Sequence, residues 1–143
     1  MSVQFLIVDD SELVRRALRT VLQAKLGWVV CGEASDGMTA IEMFRNLHPD
    51  IVMLDFQMPG LNGLDTARRM FEISPSVPII LFTQHASADL EKHAQEAGIR
   101  LVVSKTNAFS MIGVIEALLT PKNSKLSLEE LGTLSASSNP EAE

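Results

Sequence analysis

The chain carries, at residues 5–11, the run Phe5-Leu6-Ile7-Val8-Asp9-Asp10-Ser11, in which four apolar residues lead into two carboxylates. Two later runs have the same form, Ile51-Val52-Met53-Leu54-Asp55 and Ile79-Ile80-Leu81-Phe82-Thr83. Apolar strands without alternation predict burial on both faces, as in a parallel sheet that helices cover. We therefore expect three central strands, each followed by polar side chains at one edge of the sheet.

Short apolar runs and segments of helical period alternate from residue 4 to about residue 119. The predicted strands are Gln4–Val8, Val29–Cys31, Ile51–Leu54, Val77–Phe82 and Leu101–Val103. The predicted apolar helix faces are Leu13, Val14, Ala17, Leu18, Val21 and Leu22; Ala40, Ile41, Phe44 and Leu47; Leu64, Ala67 and Phe71; Leu90, Ala94 and Ala97; and Ala108, Met111, Ile112, Ile115 and Leu119. Strands that alternate with helices in this way predict an open α/β sheet with right-handed crossovers.

Local signals add detail to these elements. Ser11 is the predicted cap of the first helix, and Gly27 its predicted stop. The fourth helix, over residues 87–97, has a small apolar face, so we expect it to be loosely anchored. Cys31 is expected to be a small core residue.

The composition is that of an ordinary globular domain, with 143 residues of which 46% are hydrophobic and 21% charged. A net charge of −6 argues against a sequence-independent grip on nucleic acid, which needs a basic face. No apolar run approaches the ~20 residues that span a bilayer, and the first residues lack the form of a signal peptide. Cys31 is the only cysteine, so no intramolecular disulfide can form, and we expect a cytoplasmic domain without membrane contact.

A change of composition at Pro121 predicts a domain over residues 1–120 and a polar tail over residues 121–143. Within the tail, Ser127-Leu128-Glu129-Glu130 has the form of a capping box, with Leu126 and Leu131 as its hydrophobic staple. A short helical turn is one interpretation of the tail, and a frayed terminus with transient structure is the other.

Polar residues follow four of the predicted strands, at the carboxyl edge where open α/β sheets place their functional groups. These residues are Asp9, Asp10, Asp55, Thr83 and Lys105. Crowded carboxylates repel each other and favour a divalent cation, and an all-oxygen set with room for water suits Mg²⁺, with Mn²⁺ as a substitute. A carboxylate beside Mg²⁺ can attack phosphorus, while Lys105 and Thr83 can pair with phosphoryl oxygens. The set predicts a phosphoryl-accepting site.

Together these motifs resemble the response regulator receiver family of two-component signal transduction. The residues that carry the resemblance are the run at 5–11, Asp55-Phe56-Gln57-Met58-Pro59-Gly60-Leu61-Asn62-Gly63, Thr83 and Ser104-Lys105. The resemblance implies a flavodoxin-like, doubly wound, five-stranded parallel sheet with five helices and strand order 2-1-3-4-5. It implies that Asp55 is phosphorylated, that Thr83 and Lys105 contact the phosphoryl group, and that Mg²⁺ is bound by Asp9, Asp10, Asp55 and the backbone carbonyl of Gln57. The glycines after Asp55 are expected to supply unusual backbone angles.

The sequence departs from the family pattern at two positions. Receivers usually carry Tyr or Phe three residues before the lysine as a rotameric switch, and here that position is Val102, which has few rotamers and no polar tip. Gln84 follows Thr83 where a small residue is more usual, so it is expected to narrow the access to Asp55. Gln57 and His85 resemble positions that tune the lifetime of the phosphoryl group, and an ordinary surface role is the alternative for both.

The leading functional hypothesis is a signalling module, with no enzymatic activity beyond its own phosphorylation and dephosphorylation. A histidine kinase or phosphotransfer protein would supply the phosphoryl group. Output would come from a downstream protein partner, from onward transfer, or from self-association as a homodimer.

Two other functions are alternatives to this one. Leu126-Ser127, Glu130 and Leu134 resemble the opening of a helix-turn-helix output domain, as in the receiver part of a truncated DNA-binding transcriptional regulator. No basic recognition helix follows, so the chain as given is not expected to bind nucleic acid directly. A phosphatase is disfavoured, because its nucleophile and acid lie two residues apart, whereas Asp9 and Asp10 are adjacent.

Overall fold

The computed structural model describes residues 2–119, in which strands and helices alternate. The strands are β1 (Val3–Val8), β2 (Trp28–Ala34), β3 (Ile51–Leu54), β4 (Ile79–Thr83) and β5 (Leu101–Ser104). The helices are α1 (Glu12–Gln23), α2 (Gly37–Leu47), α3 (Gly63–Ile73), α4 (Ala88–Glu96) and α5 (Ala108–Leu119), with a 3₁₀ turn over Lys105–Asn107 before the last. All strand pairs are parallel and the order is β2-β1-β3-β4-β5, which confirms the predicted fold class and strand order.

The three continuous apolar runs form the centre of the sheet. Every residue of β3 and β4 is buried, as are the last four residues of β1. The register pairs Val8 with Leu54 and Leu54 with Leu81, so these strands end almost level with one another. The residues that follow them are therefore brought to a common edge, which positions the functional site.

The predicted strand Val29–Cys31 was too short. β2 runs over Trp28–Ala34, because its pairing with β1 continues to Ala34 through Gly32 and Glu33. This is an edge strand, which backbone hydrogen bonds can extend over residues that are not apolar. Cys31 is correspondingly half-buried rather than a core residue, so that expectation was wrong.

Helix starts follow side-chain caps. Ser11, Asp36, Asn62 and Ser87 each accept a hydrogen bond from the backbone N–H three residues ahead. The predicted Ser11 cap is thereby confirmed. Gly27 does not end α1, which stops at Gln23; instead Gly27 has a positive φ of 87° and its carbonyl accepts from the N–H of Val3.

Four residues of the predicted apolar helix faces are exposed instead: Leu13, Ala17, Leu47 and Phe71. Leu13 is 73% exposed in the first turn of α1, and Phe71 is 42% exposed near the end of α3. The buried face of α3 is instead formed by Gly63, Thr66, Ala67 and Met70. Phe71 packs beside Gly98, where an added Cβ would come within 2.6 Å of its ring. The sequence spacing of apolar residues predicted that Phe71 faces the core, whereas it lies at the exposed edge of the buried face of α3.

α4 has the small apolar face that its sequence predicts. Leu90 and Ala94 are its buried residues, with Ala97 buried directly after the helix. Its exposed face carries Asp89 and Glu91. That α4 is loosely anchored stays a prediction.

The chain divides into two compact units between Lys105 and Thr106. The sheet and α1–α4 belong to the first unit, and α5 to the second. Within residues 2–119, no helix is long and apolar enough to cross a membrane. The predicted tail over residues 121–143, with its capping box, lies outside the described residues, so the boundary at residue 120 stays a prediction.

Candidate acidic phosphoryl-acceptor site

Asp9 and Asp55 follow neighbouring strands and lie side by side. The Asp9 N–H donates to the Ala34 carbonyl of β2 at 3.0 Å, and the Asp55 N–H donates to the Val8 carbonyl at 2.9 Å. Both residues thus continue the hydrogen bonding of the sheet for one step beyond its strands. Asp10 joins them, since one carboxylate oxygen from each of Asp9, Asp10 and Asp55 lies within 4.8 Å of the others.

The three carboxylates differ in their access to water. Asp9 is 1% exposed and Asp55 6% exposed, whereas Asp10 is an exposed side chain. The cluster is therefore closed on the side of the sheet and open on the side of Asp10. A hard cation bound to these oxygens would keep positions open for water or another oxygen ligand, which is the coordination that Mg²⁺ prefers.

Lys105 supplies the positive charge of the cluster. Its Nζ lies 2.9 Å from Asp9 Oδ2 and 3.3 Å from Asp55 Oδ1. Lys105 follows β5, and β4 separates that strand from β3, so its long side chain reaches across a whole strand to Asp55. One ammonium group therefore bridges two carboxylates that would otherwise repel each other.

The surroundings of Asp55 make its ionisation less favourable than that of a free aspartate. Burial is the main cause that raises the pKa of Asp55, and the charge of Asp9 adds to it; Lys105 offsets part of this rise. For Lys105, burial alone would lower the pKa, but the hydrogen bond to Asp9 and the charges of Asp55 and Asp9 outweigh it, so the pKa is raised. Lys105 is thus cationic at neutral pH, and the acidic cluster gains from any further positive charge.

Thr83 ends β4 at the same edge. It is 4% exposed, and its Oγ1 accepts a hydrogen bond of 3.4 Å from the backbone N–H of His85. Because the Thr83 oxygen is the acceptor in that contact, its own hydrogen stays available for another acceptor. The structure therefore brings every residue of the predicted strand-end set to one edge of the sheet.

Comparison with known proteins agrees with this arrangement. The family model of the response regulator receiver domain matches residues 5–115. This chain belongs to the response regulator receiver family.

The receiver is similar to known regulators of different lengths. It is 35% identical over 118 residues to the chemotaxis protein CheY of Thermotoga maritima, covering 82% of this chain and 96% of that protein. It is 37% identical over 103 residues to the response regulator UvrY of Escherichia coli, covering 72% of this chain but only 47% of UvrY. A crystal structure of a LuxR-family two-component response regulator from Aurantimonas sp. SI85-9A1 superposes with a TM-score of 0.80 at 30% identity, covering 83% of this chain and 86% of that one.

The receiver has an open cleft beside its acidic cluster. Its lining residues are Asp10, Phe56, Gln57, Met58, Pro59 and Asn62. Gln57 therefore lies next to the open side of the cluster. Gln84 and His85, the other two predicted tuning residues, are exposed on the turn after β4 and do not line this cleft.

The glycines after Asp55 serve two different purposes. Gly60 has a positive φ of 76°, as expected for a turn. Gly63 was also expected to have an unusual backbone angle, but its φ is not positive, so that expectation was wrong. A Cβ on Gly63 would overlap the carbonyl oxygen of Asp55 and come within 2.9 Å of the Phe56 Cα. Gly63 is thus needed because α3 begins in close contact with the backbone of Asp55.

Val102 occupies the position where most receivers have an aromatic residue. It lies on β5 opposite Leu81, is half-buried, and packs against the hydrophobic core. Its short branched side chain has few rotamers and no polar tip.

Sequence reasoning missed one residue of the site. Arg15 donates a hydrogen bond of 2.6 Å from Nη1 to the backbone carbonyl of Asp9. One feature of the sequence could have indicated this contact. Arg15 lies one helical turn after the Ser11 cap, and helical side chains tilt toward the N-terminus of the helix, where Asp9 and Asp10 lie.

Proposed function

We propose that this receiver accepts a phosphoryl group on Asp55 in a Mg²⁺-dependent reaction, and that its phosphorylation state controls a protein–protein interaction. The observation that carries the proposal is the grouping of Asp9, Asp10 and Asp55 within 4.8 Å, with Lys105 in contact with two of them. Family membership supports the same function.

The donor set fits a divalent cation. Asp9, Asp10 and Asp55 offer hard oxygen ligands, and the exposure of Asp10 provides the entry. In the proposal the backbone carbonyl of Gln57 is a further ligand, and Mn²⁺ can replace Mg²⁺. When bound, the cation would offset the repulsion between the carboxylates and an anionic phosphodonor and shield charge on the transferred group.

In the proposed reaction, a carboxylate oxygen of Asp55 attacks the phosphorus of a phosphohistidine on a histidine kinase or phosphotransfer protein. A new O–P bond forms while the P–N bond breaks, and the imidazole leaves with the electron pair of that bond and takes a proton from water. Asp55 loses its charge interaction with Lys105 as it becomes an acyl phosphate. Lys105 then pairs with a phosphoryl oxygen, and the Thr83 hydroxyl donates to another.

Hydrolysis of the acyl phosphate sets the lifetime of the signal. We assign Gln57, Gln84 and His85 as the residues that tune it, by orienting or excluding the attacking water. The position of Gln57 in the cleft beside Asp10 supports its part in this assignment. The measurement is the dephosphorylation rate of Gln57→Ala, Gln84→Ala and His85→Ala; rates that all equal that of the wild type would defeat the assignment.

The proposed output is binding to another protein, onward transfer of the phosphoryl group, or formation of a homodimer. Val102 makes an aromatic switch on β5 impossible, so the phosphoryl group would act through Thr83 and the turn into α4. Of the residues of α4, only Leu90 and Ala94 are buried, so small interactions would suffice to shift its populations.

The test of the proposed chemistry is incubation with acetyl phosphate and Mg²⁺, followed by intact-mass measurement. One added phosphoryl group is expected, and none in Asp55→Asn or in the presence of EDTA. Asp50→Asn is the matched control, since Asp50 lies at the other end of β3 and accepts from the N–H of Gln4. An adduct that persists in Asp55→Asn, or that never forms in the wild type, would defeat the proposal.

A second candidate function is supported by the relatives. The chain spans less than half of UvrY, and it resembles a structure of the LuxR family. In this alternative, the receiver is the regulatory part of a longer DNA-binding transcriptional regulator. The reading frame beyond Glu143 discriminates the two: a helix-turn-helix segment with a basic recognition helix would favour the alternative, and a stop codon the first proposal.

A further inference from the structure

Asp9 is held by the surrounding protein at each of its polar groups. Its N–H donates to Ala34, its carbonyl accepts from Arg15, its Oδ1 accepts from the N–H of Ser11 at 2.9 Å, and its Oδ2 accepts from Lys105. Three of these contacts belong to a strand end, a helix cap and the acidic cluster. The contact with Arg15 belongs to none of these, and it satisfies a carbonyl of a residue that is only 1% exposed.

Arg15 is itself fixed by β2. Its Nε lies 3.3 Å from Glu33 Oε1, while Arg19 binds the other oxygen of Glu33. The Arg15 side chain is 17% exposed and that of Glu33 23% exposed, so the pair is largely shielded from water. A guanidinium held by two different nitrogens has a defined orientation, unlike a surface arginine with one partner.

The carbonyl that Arg15 holds belongs to the peptide bond between Asp9 and Asp10. That peptide is planar. Because the Asp9 N–H is fixed by Ala34 and the Asp9 carbonyl by Arg15, the direction in which the chain continues to Asp10 is fixed as well. Asp10 is the exposed carboxylate of the cluster. Among the described contacts, none binds its side chain to a neighbour, so the backbone alone directs it toward Asp9 and Asp55.

We infer that Arg15 is a positioning residue: it holds the Asp9–Asp10 peptide so that the Asp10 carboxylate is presented to a cation shared with Asp9 and Asp55. Glu33 acts through Arg15 and extends this support to β2. The inference deepens the proposed function and rests on it for the identity of the cation. Residues one shell outside a metal site commonly change affinity by about 10- to 100-fold.

The test compares Arg15→Met with Arg16→Met. Arg16 is the neighbouring arginine on α1, with a 60% exposed side chain that pairs only with Glu12 among the described residues. Mg²⁺ is titrated into both proteins and the wild type, with binding followed by backbone amide NMR signals. We expect Arg15→Met to weaken Mg²⁺ affinity by about tenfold, and Arg16→Met to leave it within twofold. An affinity within twofold for Arg15→Met would overturn the inference.

A metal-free readout separates positioning from a general loss of structure. The amide signals of Asp10 and Ser11 are expected to shift in Arg15→Met without Mg²⁺, while that of Thr39, which reports the distant Asp36 cap, keeps its position. Should the wild type bind no Mg²⁺, the proposed function fails, and these signals still decide the inference. Unchanged Asp10 and Ser11 signals would overturn it, and shifts in Arg15→Met alone would support it.

Arg15→Lys distinguishes geometry from charge and remains available if Arg15→Met does not fold. A lysine keeps the charge, but its single nitrogen cannot hold Asp9 and Glu33 as the guanidinium does. Mg²⁺ affinity is expected to stay several-fold below that of the wild type. Full restoration would show that the charge alone matters and would overturn the assignment of Arg15 as a positioning residue.

Discussion

Gly63 offers a sharp test of how α3 supports Asp55, the proposed phosphoryl acceptor. Its N–H donates to the Phe56 carbonyl at 2.9 Å, so the loop after Asp55 closes on itself at the start of α3. A Cβ at this position would overlap the Asp55 carbonyl oxygen and press on the Phe56 Cα at 2.9 Å. Both neighbours are backbone atoms, so Gly63→Ala requires either the first turn of α3 or the Asp55 peptide to move.

The movement of either segment lowers the free energy of unfolding of Gly63→Ala. Overpacking a buried site costs about 1–3 kcal/mol, and a clash with backbone lies at the upper end of that range. Gly113→Ala is the matched control, because Gly113 lies within α5 and an added Cβ there would meet no atom within 4 Å. Alanine is favoured over glycine inside a helix by about 0.5–1 kcal/mol, so this variant should be more stable than the wild type. The two variants should therefore differ by about 3–4 kcal/mol.

Urea unfolding followed by far-UV circular dichroism and by the fluorescence of the buried Trp28 measures this difference. The initial rate of phosphorylation by acetyl phosphate is measured on the same samples. Displacement of Asp55 by a fraction of an ångström should slow the reaction at least tenfold in Gly63→Ala and leave Gly113→Ala unchanged. Equal stabilities for the two alanine variants, or a wild-type phosphorylation rate in Gly63→Ala, would refute the argument.

Three further predictions concern stability in the absence of Mg²⁺. The folded state raises the pKa of Asp55, chiefly by burial, so ionisation of Asp55 costs stability at pH values above its ordinary pKa. Asp55→Asn should therefore raise the Tm at pH 7 but not at pH 3, and a lower Tm at pH 7 would contradict this. The hydrogen bonds from the Thr39 N–H and hydroxyl lower the pKa of Asp36 in the folded protein. The stability that this cap contributes is therefore fully present above the pKa of Asp36 in the unfolded chain, and it is lost as the pH falls through the lower pKa of the folded state. Asp36→Ala should cost about 1 kcal/mol at pH 7, and Asp36→Asn much less, by urea unfolding. His48 ends α2 with a positive φ of 52°, so His48→Gly should raise stability by about 0.5–1 kcal/mol, and a loss would show that the histidine side chain makes a needed contact.

The central strands and the strand-end residues were predictable because each depends on local sequence. A run such as Ile51–Leu54 is apolar at every position, and a parallel sheet is the structure that buries such a run on both faces. Parallel strands bring their carboxyl ends to one edge, so Asp9, Asp55 and Thr83 could be placed together before any distance was known. Their chemical roles stay proposals, since residue type and position do not measure reactivity.

Other features depend on partners that are distant in the sequence. β2 extends to Ala34 because β1 offers it hydrogen bonds, which its own residues do not reveal. Leu13 and Phe71 match a helical apolar period, but burial depends on how far the sheet extends beneath each helix. Gly63 and Arg15 act on backbone atoms of Asp55 and Asp9, and backbone contacts leave almost no pattern in a single sequence.

The claim that Asp55 receives the phosphoryl group is tested most directly by locating the modification. Protein treated with acetyl phosphate and Mg²⁺ is reduced with borohydride, which converts an aspartyl phosphate to homoserine, and is then digested and mapped by mass spectrometry. Conversion is predicted at Asp55 and at no other aspartate. Conversion at Asp9 or Asp10, or a stable phosphate on a serine, threonine or histidine with Asp55 intact, would contradict the assignment.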